Sequence, residues 1–217
     1  MEGDMNQFVS RGGIKLQSAI ENWKLRIEDY VVLDVGSSTG GFVDCLLQNG
    51  ARKVYALDTA YGELAWKLRN DPRVVVMERT NILRLTHLPG VKAHLEGDFE
   101  NTSDGGRLER SGSHDSSEVD GVDLITIDAG WTKLELILPI VKNFLKPDGL
   151  IIALLKPHYE ADKRDLIKGV LPSEIAERVK NQVLEKIVHC KLYIVNCIDS
   201  PILGGAGNRE YLLLLKP

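Results

Sequence analysis

A glycine-containing loop early in the chain has residue types and spacing that suit ligand binding. Residues 30–42 read YVVLDVGSSTGGF, an apolar run that ends in an acidic residue and then turns through glycines into an apolar helical pattern. Glycine has no Cβ and adopts positive φ, so backbone N–H groups in such a loop can come close to a ligand. The pattern predicts a strand, a binding loop and the N-terminus of a helix.

An acidic residue ends the next buried strand. Residues 53–58 read KVYALD, and Asp58 lies roughly 20 residues beyond the glycine loop, where nucleotide-binding α/β folds hold a ribose diol. Asp58 is therefore a candidate acceptor for ligand hydroxyl groups. An aspartate at this place can equally cap the following helix.

The spacing of the glycines narrows the choice of ligand. Hydride-transfer folds use GxGxxG, and Walker-type phosphate loops contain Gly-Lys-Ser/Thr. The loop here reads Gly36-Ser-Ser-Thr-Gly40-Gly41 and has neither pattern. Asp34, followed by Val-Gly and a polar loop, suits a ligand with a positive amino group and no pyrophosphate, such as S-adenosylmethionine.

The elements that must position these residues alternate along the chain. Apolar periodicity predicts helices over residues 10–26, 61–70, 134–145 and 173–189, the last with Ser173 as its N-cap. Further strands are predicted over residues 73–77, 122–128, 150–155, 190–199 and 209–215, with a turn at 146–149. This order predicts a three-layer α/β sandwich with a mainly parallel sheet and an antiparallel last strand.

Composition limits the class of protein. The 217 residues are 43% hydrophobic and carry a net charge of −4, which predicts one α/β domain over residues 1–217 and argues against a surface that is basic throughout. Residues 95–121 are rich in Gly, Ser, Asp and Glu and are predicted to form a flexible insertion. His94, His114 and Asp115 are spaced too irregularly for a metal site, so no metal is expected.

Cysteine usage and hydropathy predict a cytoplasmic protein. Cys45, Cys190 and Cys197 lie in apolar surroundings without CxxC spacing, which predicts buried, reduced thiols. No stretch reaches the roughly 18 apolar residues of a membrane span, and the polar N-terminus lacks the apolar core of a signal peptide. We therefore expect no association with a membrane.

Ordered blocks of sequence resemble a known family. The blocks are SRGGIKL, DVGSSTGGF, ALDTAYGELAWKLRNDPRVVVMERTN, DLITID, LLKPHYEA and SPILGGAGNREYLLL. In this order they closely resemble the catalytic domain of the TlyA-type ribosomal RNA 2′-O-methyltransferases, within the FtsJ-like superfamily. The resemblance implies a Rossmann-like methyltransferase fold, S-adenosyl-L-methionine as cofactor, and RNA as partner, in the form of ribosomal RNA or a ribosomal subunit.

The resemblance also implies catalytic residues. The family uses a Lys-Asp-Lys-Glu tetrad, and the matching residues here are Lys15, Asp128, Lys156 and Glu210. In the implied chemistry, Lys156 steers a ribose hydroxyl or removes its proton, Lys15 is a second cation, and the two carboxylates orient the ammonium groups. Each residue alone is typical of a solvated surface group or strand end, but the set predicts a catalytic site.

Cofactor contacts follow from the same resemblance. It implies that residues 36–42 enclose the methionine part, that Asp58 binds the ribose hydroxyls and that Asn81 contacts adenine, with Asp98 as a second candidate for that contact. The predicted cofactor-binding residues are Asp34, Gly36, Ser37, Ser38, Thr39, Gly40, Gly41, Phe42, Asp58, Asn81 and Asp128.

The source of RNA affinity is less defined. Members of the family usually carry a small N-terminal RNA-binding domain, whereas the resemblance here begins at the catalytic domain, so affinity would come from basic side chains or from a partner. The basic candidates are Arg11, Lys15, Lys24, Arg26, Lys133 and Arg209. Arg11 and Lys15 also suit a solvated helix end. Two alternatives stay open: a methyltransferase for another substrate, and a cofactor- or RNA-binding module without turnover.

Overall fold

A seven-stranded sheet forms the centre of the computed structural model, which describes residues 7–93, 119–130 and 132–217. The strands are β1 (Val31–Val35), β2 (Lys53–Leu57), β3 (Val74–Met77), β4 (Val91–Lys92), β5 (Val119–Asp120), β6 (Val122–Ile127), β7 (Leu145–Leu155), β8 (Tyr193–Asp199) and β9 (Tyr211–Lys216). The sheet order is β3-β2-β1-β6-β7-β9-β8, and β4 pairs with β5 separately. Only β9 is antiparallel to its neighbours in the large sheet. The predicted mainly parallel sheet with an antiparallel last strand is confirmed.

Helices cover both faces of the sheet. They are α1 (Gly12–Trp23), α2 (Gly41–Gln48), α3 (Trp66–Arg69), α4 (Leu134–Val141), α5 (Pro157–Glu160) and α6 (Ser173–His189). Side chains alternate along each strand, so Val32 packs into the cluster beneath α1 and α2, while Leu33 packs into the cluster beneath α4 and α6. The three-layer α/β prediction is therefore confirmed.

Several predicted boundaries differ from the structure. The helix predicted over residues 61–70 begins only at Trp66, because the Gly62 N–H donates to Glu78 and the Ala65 N–H to the Thr39 carbonyl instead of forming a helical turn. Helix α1 ends at Trp23, because Lys24 adopts a left-handed conformation with φ 51°. Ser173 is the first residue of α6 rather than its cap.

The β strands also depart from the predicted limits. Residues 146–149, predicted as a turn, belong to β7, whose register with β6 shifts between Val122 and Leu124. Strand β8 begins at Tyr193 instead of residue 190, since Leu192 is buried just before it. Such errors are typical of element ends, where local pattern and tertiary pairing compete.

Part of the predicted insertion and its neighbours lie outside the described residues. This applies to residues 95–118 and therefore to Asp98, His114 and Asp115, and also to His94. At the end of the predicted insertion, Val119 and Asp120 form β5 and pair with Val91 and Lys92.

The cysteines are only partly as predicted. All three are free thiols; Cys45 is buried, whereas Cys190 and Cys197 are half-buried because they lie near the outer strand β8. Across the three described ranges, no helix is long and apolar enough to span a membrane.

The topology divides the loops between two edges of the sheet. The loops that follow β1, β2, β3, β6 and β7 meet at the carboxyl edge, because these strands are parallel. Residues 200–210 join them there, because β9 runs in the opposite direction. The turns before β1 and β7 lie at the other edge. Residues from seven separate segments are thus gathered beside one another at the carboxyl edge.

A buried carboxyl group lies in the middle of this arrangement. Asp34 in β1 has no exposed surface; its Oδ1 accepts a hydrogen bond of 2.5 Å from the Thr126 hydroxyl, and its Oδ2 has no partner. Burial raises the pKa of Asp34 to about 7, and the negative charges of Asp128 and Asp58 act in the same direction. The carboxyl group is thus protonated in the folded protein at acidic pH.

This raised pKa predicts a pH-dependent stability. Between the ordinary pKa of 3.8 and about 7 the folded chain binds more protons at Asp34 than the unfolded chain does. The free energy of unfolding should therefore fall as pH rises through that window, by up to roughly 4 kcal/mol, and then stay lower. Asp34→Asn should remove this contribution. Urea unfolding from pH 5 to pH 8 measures it, with Asp148→Asn, at an exposed position of β7, as the control. Equal pH slopes for wild type and Asp34→Asn would contradict it.

Candidate active site

A cleft of about 520 Å³ opens at the carboxyl edge of the sheet. Its walls come from the start of α1, from the loops after β1, β2, β3 and β6, and from Lys156 at the end of β7. Clefts of about 300–1,000 Å³ are typical of small-molecule sites, and this position in an open parallel sheet is the usual one.

Two glycines shape the loop at the floor of the cleft. Gly36 has φ +84°, and a Cβ there would lie 2.9 Å from the Asp128 carbonyl oxygen. The N–H groups of Gly36 and Ser37 both donate to the Leu57 carbonyl. Gly40 has φ +96°, and a Cβ there would lie 2.3 Å from Leu68 Cδ1. Only glycine fits these two positions without strain, so the loop is held in one shape against its neighbours.

The first turns of α1 and α2 are packed directly against each other. A Cβ on Gly41 would lie 2.3 Å from Ser10 Oγ and 2.9 Å from the Gly13 nitrogen, and a Cβ on Gly13 would lie 2.2 Å from Phe8 Cγ. This close contact explains the SRGG sequence, to which sequence analysis assigned no structural task. It brings Lys15, one turn further along α1, to the wall of the cleft.

Two lysine–carboxylate pairs lie at the cleft. Lys15 Nζ is 2.5 Å from Glu210 Oε2, and Lys156 Nζ is 2.6 Å from Asp128 Oδ1. Lys156 also donates to the Asp128 carbonyl at 3.3 Å. The side chains of Lys15 and Lys156 are only 11% and 14% exposed. Four residues from distant parts of the sequence therefore meet as two shielded ion pairs.

Glu210 lies behind Lys15 rather than in the wall of the cleft. Its side chain is 3% exposed. A Cβ on Gly204 would lie 1.9 Å from Glu210 Oε1, so the bare backbone of Gly204 leaves the space that the carboxylate occupies. Asn208, which is buried, anchors the loop before Glu210 by donating to the carbonyls of Gly169 and Gly205.

The opposite end of the cleft presents the predicted cofactor residues. Asp58 lines it and accepts 2.8 Å hydrogen bonds from the N–H groups of Ser38 and Ala60. The Ser38 hydroxyl donates to Glu63, a lining residue that sequence analysis did not identify. Asn81 also lines the cleft, and its Oδ1 accepts from the Leu83 N–H. Asp58 therefore fixes the glycine loop and faces the cleft at once.

Most of the predicted cofactor set lines the cleft. The lining members are Gly36, Ser37, Ser38, Thr39, Gly41, Phe42, Asp58, Asn81 and Asp128. Asp34 and Gly40 do not line it. The Asp34 side chain points into the sheet beside Thr126, and Gly40 is covered by Leu68. Asp34 and Gly40 therefore lie behind the residues that line the cleft, and the predicted direct contact of these two with the cofactor is not seen in the cleft.

The predicted RNA-binding residues are divided between the two edges. Arg11 lines the cleft with Lys15, and Lys133 precedes α4 beside it. Lys24 lies about 13 Å further along α1 than Lys15, at the end that leads to the start of β1. Arg26 follows Lys24, so both lie at the edge away from the cleft, because α1 runs antiparallel to β1. Their contact with RNA stays a prediction. Arg209 adjoins Glu210 and pairs with Asp199 at 2.8 Å.

Two further residues near the lysines were missed by sequence analysis. Burial lowers the pKa of His158, and the positive charges of Lys156 and Lys15 lower it further, so the imidazole is neutral at pH 7. The Tyr159 ring centre is 5.6 Å from Lys156 Nζ and 4.2 Å from the His158 ring. Their position in the sequence, directly after Lys156-Pro157, could have identified them as neighbours of the site.

The electrostatics of the cleft suit a cationic ligand. Asp58 and Asp128 line the cleft, Asp34 lies beneath it, and the charges of the first two raise the pKa of the third. A sulfonium or ammonium group placed among these carboxylates relieves their mutual repulsion. The closely packed glycine loop leaves room for the rest of such a ligand. The residues present therefore fit S-adenosylmethionine.

The fold and the cleft together define an S-adenosylmethionine-dependent methyltransferase of the Rossmann-like class. The model of the FtsJ-like methyltransferase family matches residues 8–217. The chain belongs to that family, and its methyl donor is S-adenosylmethionine. The predicted family, enzyme class and cofactor are confirmed.

Relatives that match over nearly the whole of this chain support this assignment. YqxC of Bacillus subtilis, described as a candidate rRNA methyltransferase, is 37% identical over 99% of this chain and 68% of its own length. The 16S/23S rRNA (cytidine-2′-O)-methyltransferase TlyA of Mycobacterium tuberculosis is 35% identical over 96% of this chain and 68% of its own. A solved structure from Lactococcus lactis, described as a candidate haemolysin, has a TM-score of 0.78 and 36% identity over 97% of this chain and 88% of its own.

The contacts of Asp58 lead to a binding prediction. Asp58→Ala should weaken binding of S-adenosylmethionine by about tenfold to a hundredfold, because it removes a charged acceptor, the hydrogen bond from Ser38 that holds the glycine loop, and the bond from Ala60 that fixes the loop after β2. Isothermal titration calorimetry measures the affinity, with Asp148→Ala as the control for loss of an exposed carboxylate elsewhere. An affinity equal to that of wild type would remove Asp58 from the site.

Proposed function

We propose that this chain methylates a ribose 2′-hydroxyl of ribosomal RNA. The observation that carries the proposal is the meeting of two shielded lysine–carboxylate pairs at the cleft. The rRNA methyltransferases among its relatives, at 35–37% identity over nearly the whole chain, support RNA as the substrate. The TlyA relative is named for transfer to a cytidine 2′-oxygen.

The chain's own residues must deal with a poor nucleophile. S-adenosylmethionine, when bound, supplies an electrophilic methyl group on a sulfonium. A ribose hydroxyl has to be aligned with that group and has to lose its proton as the new C–O bond forms. Lys156 faces the cleft and is held by both the carboxylate and the carbonyl of Asp128, so it holds the hydroxyl in line with the methyl group and assists the loss of its proton.

In the second pair, Glu210 lies behind Lys15 as seen from the cleft. Lys15 lines the cleft beside Arg11, whereas Glu210 is shielded behind it and compensates its charge. Removing one partner of such a pair costs several kcal/mol, because the other charge stays buried and uncompensated. We infer that the pair holds Lys15 in place to contact the ribose or its phosphate.

Lys156 provides the direct test of the mechanism. Lys156→Ala should reduce methyl transfer by about a hundredfold or more, because the hydroxyl loses the group that orients it and assists the loss of its proton. Affinity for S-adenosylmethionine should change little. The measurement is transfer of a tritiated methyl group to ribosomal subunits and to deproteinised rRNA from a strain that lacks the equivalent enzyme, followed by nucleoside analysis.

A matched control exists in the same strand. Lys146 also pairs with an aspartate, Asp123, at 2.5 Å, but at the edge of the sheet away from the cleft. Lys146→Ala should therefore leave transfer near the wild-type rate. Label on a base instead of a ribose, or full activity of Lys156→Ala, would overturn the proposed function.

The space beside Glu210 gives a second test. Gly204→Ala should displace the Glu210 carboxylate and lower methyl transfer by about tenfold or more, because Lys15 loses its partner. Gly205→Ala is the control, since a Cβ at Gly205 would meet nothing within 4 Å. If the two variants transfer methyl groups at equal rates, Glu210 does not act through this contact.

A further inference from the structure

Two loops beside the Lys15–Glu210 pair present large apolar side chains to solvent. Ile167, in the loop between α5 and α6, is 66% exposed, and Leu203, in the loop between β8 and β9, is 54% exposed. Both loops lie at the carboxyl edge of the sheet, on the side of the cleft opposite Asn81. Single exposed apolar residues are ordinary, but two on adjoining loops at a cleft suggest contact with a ligand.

The first of these loops is a rigid turn. The N–H of Ile167 donates to the Val170 carbonyl at 2.8 Å, and the N–H of Val170 donates back at 3.0 Å. Lys168 and Gly169 between them have φ 51° and 82°, as in the tight two-residue turns of hairpins. Ile167 and Lys168 are thus held at the tip in a defined orientation.

Asn208 joins the two loops to each other. Its Oδ1 accepts from the Leu171 N–H, and its Nδ2 donates to the carbonyls of Gly169 and Gly205, at 2.9–3.0 Å. The Asn208 side chain is 2% exposed, so these bonds are shielded from water. Because Glu210 follows two residues later, the positions of both loop tips are linked to that of the tetrad.

This region has two exposed lysines that can contact a polyanion, and two arginines that are each paired with an aspartate. Lys163 and Lys168 are exposed on the first loop, and the Arg164 side chain is 89% exposed beside Asp162. Arg209 lies at the end of the second loop. These cations stand next to apolar tips, a combination that matches nucleic acid, which offers phosphates together with base faces.

The limited access to Lys156 also supports contact between these loops and RNA. Its side chain is only 14% exposed, so a ribose hydroxyl can reach it only if the nucleotide enters the cleft. A nucleotide that enters leaves its stacked neighbours, and the uncovered base faces are stabilised by apolar side chains on a rigid support. Ile167 and Leu203 are exposed apolar groups at the same edge of the sheet, on the β9 side of the cleft.

We propose that Ile167, Lys168 and Leu203 form an RNA-binding surface for the nucleotides next to the methylated one. Ile167 and Leu203 cover the base faces that are uncovered when the target nucleotide enters the cleft, and Lys168 contacts a phosphate. The proposal rests on the proposed function for its substrate class. It adds these three residues to the basic side chains predicted to bind RNA.

The test compares this surface with equivalent side chains elsewhere. The variants are the double substitution Ile167→Ser with Leu203→Ser, and Lys168→Gln. Val188, 59% exposed near the end of α6, and Lys191, an exposed lysine with φ 57° close to the 51° of Lys168, lie at the other edge and supply the controls Val188→Ser and Lys191→Gln. Fluorescence anisotropy with labelled, deproteinised rRNA fragments measures RNA affinity, and calorimetry measures affinity for S-adenosylmethionine.

We expect the double variant to weaken RNA binding by about tenfold or more, and Lys168→Gln by about threefold, with cofactor affinity and both controls unchanged. Unchanged RNA affinity in the variants would overturn the proposal, as would a wild-type chain that does not bind the rRNA. A loss of affinity for intact subunits but not for deproteinised rRNA would indicate a protein partner and would overturn it too.

Methyl transfer separates this inference from the function on which it rests. If the wild type methylates ribose and the variants bind RNA as the wild type does, only the surface is wrong. If the variants lose RNA affinity but the wild type places no methyl group on ribose, the surface stands and the proposed reaction falls.

Discussion

The shielding of two lysine side chains at one edge of the sheet is the constraint on which the site depends. An ammonium group removed from water needs a carboxylate partner, and Lys15 and Lys156 have theirs in Glu210 and Asp128. Asp128 follows β6, beside the end of β7 that carries Lys156, whereas Glu210 precedes β9, so the Lys15–Glu210 pair exists only when the antiparallel last strand is in place beside β7. The strand order that forms the sheet therefore also brings together the groups of the proposed chemistry.

Close approach of backbone segments makes this convergence possible. The first turns of α1 and α2 touch through Gly13 and Gly41, Gly36 lies against the Asp128 carbonyl, and Gly204 leaves room for Glu210. At each contact a Cβ would lie closer than 3 Å to another atom. The glycines of SRGG, DVGSSTGG and LGGAG thus serve packing between elements as much as ligand approach.

The two ends of the cleft carry opposite charges, acidic at the cofactor end and basic at the acceptor end. Asp34, Asp58 and Asp128 make the cofactor end acidic enough to raise the pKa of Asp34, which suits a cationic methyl donor. The acceptor side carries Arg11 and Lys15, and the proposed RNA surface with Lys168 adjoins it. In the proposed reaction, a chain with an overall net charge of −4 can still present cations to RNA, because Asp34, Asp58 and Asp128 lie at the end of the cleft proposed for the sulfonium.

Local sequence determined the fold class, the family and most of the cleft-lining loop of this protein. Strand and helix periods depend on neighbouring residues, and the glycine loop is contiguous, so residues 36–42 could be placed from their own pattern. Tertiary structure alone decided the rest. Lys15 and Glu210 are 195 positions apart, the edge occupied by Lys24 and Arg26 depends on the direction of α1, and the burial of Asp34 depends on Thr126 in the neighbouring strand. Contacts between distant segments have no local signature, because they arise only when the sheet brings those segments together.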